Sequence, residues 1–509
     1  MTRWPFVVGL ATALVAGAAA TAGPRDAQIH DPDTLAWWRI AETLSSDAME
    51  GRDTGSAAYE KAAALVAERF KKAGLKPAGE AGGYLQSVPM HEVRVETEGT
   101  SFTIRHATGD DTKLRFLHEI SVKASETLPA TLDAPISFRG YCGPEEMGAD
   151  MSGKIALCFG GRRANVPSAA QRLAAATKAH AVGLIAIDDP GFTIEPSRWP
   201  EAYARTITLK TAAPGSNPLV TMRLAAASLA AVIAGSGQSA EDILAAGAAS
   251  KPLPVFDVPA RLVASFKVTT RDLQSSNVLA VLPGSDPKLA HEVVVVSAHL
   301  DGYGYGEPVK GDNLYNGAFD DAAYVATLVT LADGRHGRGF KRPVLFAAFT
   351  GEEKGLLGAT WFTQNPTVPV GDLAADINLD QLRPLFPLKI LTMHAIKDST
   401  LGDTVAKVAA ARGIEIRPDR EPERNLNQRA DHWPFLKIGV PATGFVFGYD
   451  PGTEAERRYR EWYDIRYHRP QDDMSQPIDM IAARDFNQFF YALTGAAADG
   501  KDRPAMLTK

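Results

Sequence analysis

The chain has 509 residues, 45% hydrophobic and 22% charged, which is ordinary globular composition and too long for a single hydrophobic core. Its 54 Lys and Arg against 60 Asp and Glu give a net charge of -6. That mild acidity excludes the basic footprint of a nucleic-acid binder and gives no pull towards anionic membranes.

The first residues read as a secretory signal. Arg3 supplies a positive charge, an apolar run follows from Trp4 to Ala20, and Ala20-Thr21-Ala22 offers small residues for cleavage after Ala22. Pro5, Gly9 and Gly17 dilute the run, which is short of a comfortable membrane span. No cysteine follows it to carry a lipid, and no other stretch is apolar enough to cross a bilayer. The mature chain is therefore expected to be exported, periplasmic or extracellular, with no stable membrane anchor.

Residues 34–76 read as helical, with a turn at Gly51-Arg52-Asp53. The helix expected from about Ala57 to Ala73 places Ala62, Leu65, Val66 and Phe70 on one face, and Gly74 closes it. Residues 84–125 alternate as strands. With 23–76 they are expected to form the N-terminal part of the main domain. From about 126 to 255 the texture changes to short strands (ISFRGY, GKIALCF, VGLIAID), an Ala-rich helix from Ser168 to Ala181, and pieces bounded by Pro and Gly. This stretch is expected to be a smaller inserted domain that does no chemistry, since His180 is isolated and no ligands cluster. Cys142 and Cys158 are the only cysteines, and a disulfide and two buried free thiols stand as equal readings.

From about 256 to 509 the pattern is regular α/β. HEVVVVSAHL, RPVLFAAFT, AADINLD and GVPATGFVFG read as buried strands, and DDAAYVATLVTLAD, LLGATWFTQN and STLGDTVAKVAAARG as helices between them. This alternation predicts a mostly parallel mixed sheet sandwiched by helices.

Polar residues interrupt the buried strands at one end only. His299 and Asp301 follow VVVVSA, Glu352 and Glu353 follow VLFAAFTG, and Asp380 ends AADINLD. Ligands bind at the carboxyl ends of strands in open α/β sheets, so these residues should meet in one crevice. A cluster of carboxylates and one imidazole repels itself, and a bound dication relieves that repulsion. Asp320 and Asp321 start a helix, where one is expected to face inward and the other to cap. His468 lies in the polar loop RYHRPQDD. Oxygen and imidazole ligation without thiol suits zinc, with cobalt or manganese as substitutes.

Taken in order, AHLDG, NGAFDDAA, FTGEEKGLLGA, INLD, ADHWPF and YHRPQDD resemble the co-catalytic di-zinc exopeptidases, a family of secreted bacterial aminopeptidases and glutamate carboxypeptidase-like proteins. GYCGPEEMGADMSGKIALCFGG is similar to the protease-associated domain often inserted in that family. The resemblance implies the zinc exopeptidase fold, which is phosphorylase/hydrolase-like, and peptides as partners. It implies two Zn2+ held by His299, Asp320, Glu353, Asp380 and His468, with Asp320 bridging. It further implies Asp301 orienting His299, Glu352 as general base towards water, and Tyr467 as oxyanion donor. Departures are Gln381 after Asp380, Ala430 before Asp431-His432, and a Tyr-rich loop after His299.

An aminopeptidase is the favoured activity, because the placeable site residues are acidic and attract an ammonium. A carboxypeptidase of the same family is the alternative, with Arg383, Arg424, Arg429, Arg466 and Arg469 as candidate carboxylate clamps. A mono-zinc glutaminyl cyclase and a non-catalytic receptor of this fold are further alternatives. His394 and His432 are read as structural or supporting residues, and His106 and His336 as solvated. Oligomeric state is not legible.

Overall fold

The computed structural model describes residues 25–161, 163, 165–192, 204–210, 219–380 and 382–507. The signal sequence expected over residues 1–22 and Gln381 lie outside the described residues.

The strands Val293–His299, Val344–Phe349 and Leu373–Leu379 are buried along their whole length. They run parallel, with Leu373–Leu379 also parallel to the short strand Ala442–Thr443. Side chains alternate between two apolar layers. Val294, Val296 and Ala298 face a core with the helices Pro32–Leu44, Ala57–Lys72, Ala323–Arg335 and Met480–Asp499. Val293 and Val295 face a second core with Leu357–Gln364 and His432–Lys437. Both faces are covered, which is why these strands read as continuous apolar runs. Antiparallel strands Val268–Leu282, Leu85–Val95 and Arg205–Leu209 extend the sheet from Val344–Phe349, and Lys76–Pro77 pairs with Val268–Leu282 to complete eight strands.

A second eight-stranded sheet has its own apolar core. Its centre is Thr131–Arg139, Ile155–Phe159, Gly183–Ile187 and Val220–Leu224, all parallel. It also takes Ser101–His106, Asp111–Leu114, Ile120–Val122 and Val255–Ser265. Its strands thus extend beyond 126–255 on both sides, and Arg205–Leu209 from within that stretch joins the first sheet instead. The helix Ala169–Lys178 carries a full capping box between Ser168 and Gln171. Cys142 and Cys158 form a disulfide, with Cα atoms 5.6 Å apart.

GVPATGFVFG is not one strand. Ala442–Thr443 belongs to the large sheet and Phe445–Phe447 to a separate three-stranded sheet. The chain changes sheet at Gly444, where a Cβ would lie 3.1 Å from His432 Nδ1. The C-terminal helices Glu454–Ile465 and Met480–Asp499 are additional to the expected elements. Among the described residues no helix is long and apolar enough to cross a membrane.

Candidate metal centre

His299 ends its strand and is buried, with its Nδ1 3.2 Å from the Asp301 carbonyl oxygen. A carbonyl only accepts, so Nδ1 carries the proton and Nε2 keeps its lone pair. Nε2 lies 3.4 Å from Asp320 Oδ1 and 3.9 Å from Glu352 Oε2. The Asp301 carboxylate is set back, with Oδ1 3.8 Å from His299 Nδ1. It accepts from the Glu352 N–H at 3.0 Å and from the Thr54 hydroxyl at 3.0 Å. Asp301 therefore orients the imidazole chiefly through its backbone, while its side chain anchors the Glu352 turn.

On the opposite side His468 Nε2 lies 3.1 Å from Glu353 Oε2 and 3.5 Å from Asp320 Oδ2. Asp320 thus stands between the two imidazoles, one oxygen towards each. Ligand atoms of His299, Asp320 and Glu353 lie within 4.8 Å of one another, as do those of His299, Asp321 and Asp380. The structure brings together all five residues expected as ligands and adds Asp321. Asp321 does not cap the following helix, which has no side-chain cap. Its Oδ2 accepts instead from the His299 N–H at 3.2 Å. Buried His299 Nε2, Asp320 Oδ2 and Asp321 Oδ1 have no hydrogen-bond partner among the described residues. Imidazole and carboxylate atoms gathered in this way fit a zinc-type ion.

Electrostatics separates the acids. Burial raises the Asp320 carboxyl, but the neighbouring cation Arg383 foremost holds it well below the usual range. Burial likewise opposes ionisation of Glu353, and His468 outweighs it. Burial pushes Glu352 well above the usual range, and Asp380, Glu353 and Asp431 add to the rise against His299.

Arg52 was not singled out from the sequence, yet it fastens the loops of the site. Its wholly buried guanidinium donates to the carbonyls of Leu300 (2.8 Å), Leu44 (2.6 Å), Asn316 (2.8 Å) and Gly317 (2.8 Å). Burial lowers it to about 10, and Asp301 foremost among the nearby acids keeps it charged. The preceding Gly51 has φ +64°, and a Cβ there would lie 2.3 Å from the Tyr315 carbonyl oxygen.

Arg383 is buried with Nη2 3.5 Å from Asp320 Oδ1 and its guanidinium 4.2 Å from the Trp462 ring centre. It faces inward and does not line the cleft. Arg424 is also buried and does not line it, whereas Arg429 and Arg469 do. Tyr467 packs against His468 at 3.9 Å between ring centres, and its hydroxyl accepts from Arg429 Nη2 at 3.1 Å. Glu352, Glu353, Tyr467 and His468 open on a cleft of about 630 Å³. His394 and His432 are buried in a parallel stack 5.6 Å apart. His106 is buried at a strand end rather than solvated, whereas His336 is exposed.

Residues 277–494 match the family described as Peptidase family M28, a span that contains every candidate metal ligand. That match agrees with the resemblance read from the motifs of the same residues. The expectation of a zinc-dependent metallopeptidase stands with that match. The chain is 25% identical over 340 residues to Leupeptin-inactivating enzyme 1 of Streptomyces exfoliatus, covering 64% of this chain and 70% of that protein. Its fold is that of an aminopeptidase from Aneurinibacillus sp. strain AM-1 (TM-score 0.61, 18% identity, 93% of this chain and 95% of that one). It is equally similar to a zinc aminopeptidase from Bacillus subtilis (TM-score 0.61, 19% identity, 92% and 96%).

Proposed function

We propose that this protein is an exported aminopeptidase that holds two zinc ions between His299, Asp320, Glu353, Asp380 and His468. The observation that carries the reading is Asp320, whose two carboxylate oxygens face the Nε2 atoms of His299 and His468 at 3.4 and 3.5 Å. Zinc bound there supplies Lewis-acid polarisation of a peptide carbonyl and acidifies water. Glu352 accepts the proton of the attacking water and returns it to the leaving amine. Tyr467, whose hydroxyl accepts from Arg429, serves as the donor to the developing oxyanion. Asp301 holds the Glu352 turn by its backbone N–H.

The end of the peptide that enters follows from charge. Glu352 and Glu353 line the cleft beside the candidate ligands, and Arg205, Arg223, Lys354, Arg429, Lys437 and Arg469 also line it. The acids grouped at the metal centre favour an ammonium there, and the basic residues of the lining favour the rest of the peptide with its distal carboxylate. Arg383, the strand-end cation suited to clamp a carboxylate, is committed to Asp320 and Trp462. The relatives described as aminopeptidases support the same choice. A disulfide accords with export to an oxidising compartment. We assign residues 126–255, with the flanking strands of the second sheet, to an inserted protease-associated domain. Arg223 of that sheet lines the cleft, which supports a role in substrate access.

Matched peptides blocked at either end test the reading. Carboxy-amidated peptide should be cut and amino-acetylated peptide should resist. The opposite pattern would make the enzyme a carboxypeptidase.

A further inference from the structure

His299 and His468 are held in different ways. His299 ends a buried strand and its tautomer is fixed by a carbonyl oxygen. His468 stands in a loop with φ +53°, a left-handed conformation unusual for a non-glycine residue. Its Nδ1 lies 2.9 Å from the Tyr303 hydroxyl, a group able either to donate or to accept.

Tyr303 belongs to the Tyr-rich loop that departs from the family pattern. Its ring centre lies 4.6 Å from that of His468, and Tyr467 packs on His468 at 3.9 Å. Tyr303 is itself fixed. The Lys354 ammonium sits 4.3 Å from its ring centre and 3.6 Å from Asp53 Oδ1. Lys354 directly follows Glu353, so the chain that supplies one acidic group also braces the support of the loop histidine.

We propose that Tyr303 is a positioning residue that fixes the tautomer and ring orientation in which His468 ligates metal through Nε2. The proposal rests on the metal reading above. With Nε2 engaged, Nδ1 carries the proton and donates to the Tyr303 oxygen. Outer partners of this kind raise ligand basicity and limit rotation of the ring, and their loss typically costs about 10–100-fold in metal affinity. The ion held by His468 and Glu353 should suffer, while the ion held by His299 and Asp380 should not.

Tyr303→Phe keeps the ring and removes only the hydroxyl. Zinc per chain and the affinity of each ion are measured on mature protein by competition with graded chelators. Wild type should hold two zinc ions, and Tyr303→Phe should release one of them about 10–100-fold more readily while the other is unchanged. The metal-free variant should unfold at the wild-type temperature, since packing is preserved. The His468 Nδ1–H resonance of the zinc-loaded protein should move in the variant. Wild-type affinity for both ions in Tyr303→Phe, with two ions bound, overturns the proposal and leaves the metal reading intact. A wild type holding one ion overturns the two-ion reading, and overturns this proposal too unless that ion is weakened by Tyr303→Phe.

Discussion

Glu352 and Glu353 are neighbours in sequence held in opposite electrostatic states. Glu353 faces the His468 imidazole at 3.1 Å and stays ionised. Glu352 is raised by burial among other acids, the environment suited to a group that exchanges protons. The two therefore respond differently to loss of charge. Glu352→Gln should lower turnover by roughly 100-fold or more, as for loss of a general base, with zinc content unchanged. Glu353→Gln should instead lower zinc content. Metal analysis beside a peptidase assay decides this, and the reverse pattern would exchange the roles. Arg383 teaches a related lesson. Three positions past Asp380 it looks from sequence like a carboxylate clamp, but the tertiary structure spends its charge on Asp320.

Where elements meet, the loop after the strand Ile390–Met393 packs on the helix His432–Lys437 through the stacked rings of His394 and His432. Neither ring nitrogen of His394 has a hydrogen-bond partner among the described residues. Burial, with Arg424 as a lesser cause, pushes His394 down to about 4. The unfolded chain titrates this group near about 6.5. Between those values the unfolded state binds a proton that the folded state refuses, so stability is fully present above about 6.5 and is lost as pH falls towards 4. From pH 7.5 to pH 5 the loss attributable to His394 is about 2 kcal/mol. Denaturant unfolding at both pH values should show a smaller pH dependence in His394→Leu by about that amount. Equal dependence in variant and wild type would refute the assignment.

At the scale of the whole molecule, two sheets divide the work. The first presents the candidate ligands at its strand ends, and the second lends Arg223 to the cleft wall. The disulfide lies in an apolar cluster of the second sheet, away from every candidate ligand. The double substitution Cys142→Ser, Cys158→Ser should lower stability by about 3 kcal/mol. Turnover of a small chromogenic amide should be nearly unchanged in the folded variant. Loss of turnover without unfolding would show that the second sheet takes part in the chemistry.

The sequence by itself determined the parallel strands and the residues at their ends. Burial on both faces forces continuous apolar runs, so His299, Glu352 and Asp380 stand out against them. It also made the helix Ala57–Lys72 and its terminus legible, through spacing and local caps. Only tertiary structure decided what depends on distant neighbours. Nothing local tells that the second sheet recruits Ser101–His106 and Val255–Ser265, because strand pairing is chosen by partners far along the chain. The break of GVPATGFVFG falls at Gly444, where a side chain would meet His432, and the role of Arg52 comes from carbonyls contributed by three separate segments. Asp321 looks like a helix cap in sequence and becomes a partner of the His299 backbone in space. The physical reason is the same in each case. Periodicity and capping are properties of neighbouring residues, whereas the state of a buried charge is set by whichever groups the fold brings within a few ångströms of it.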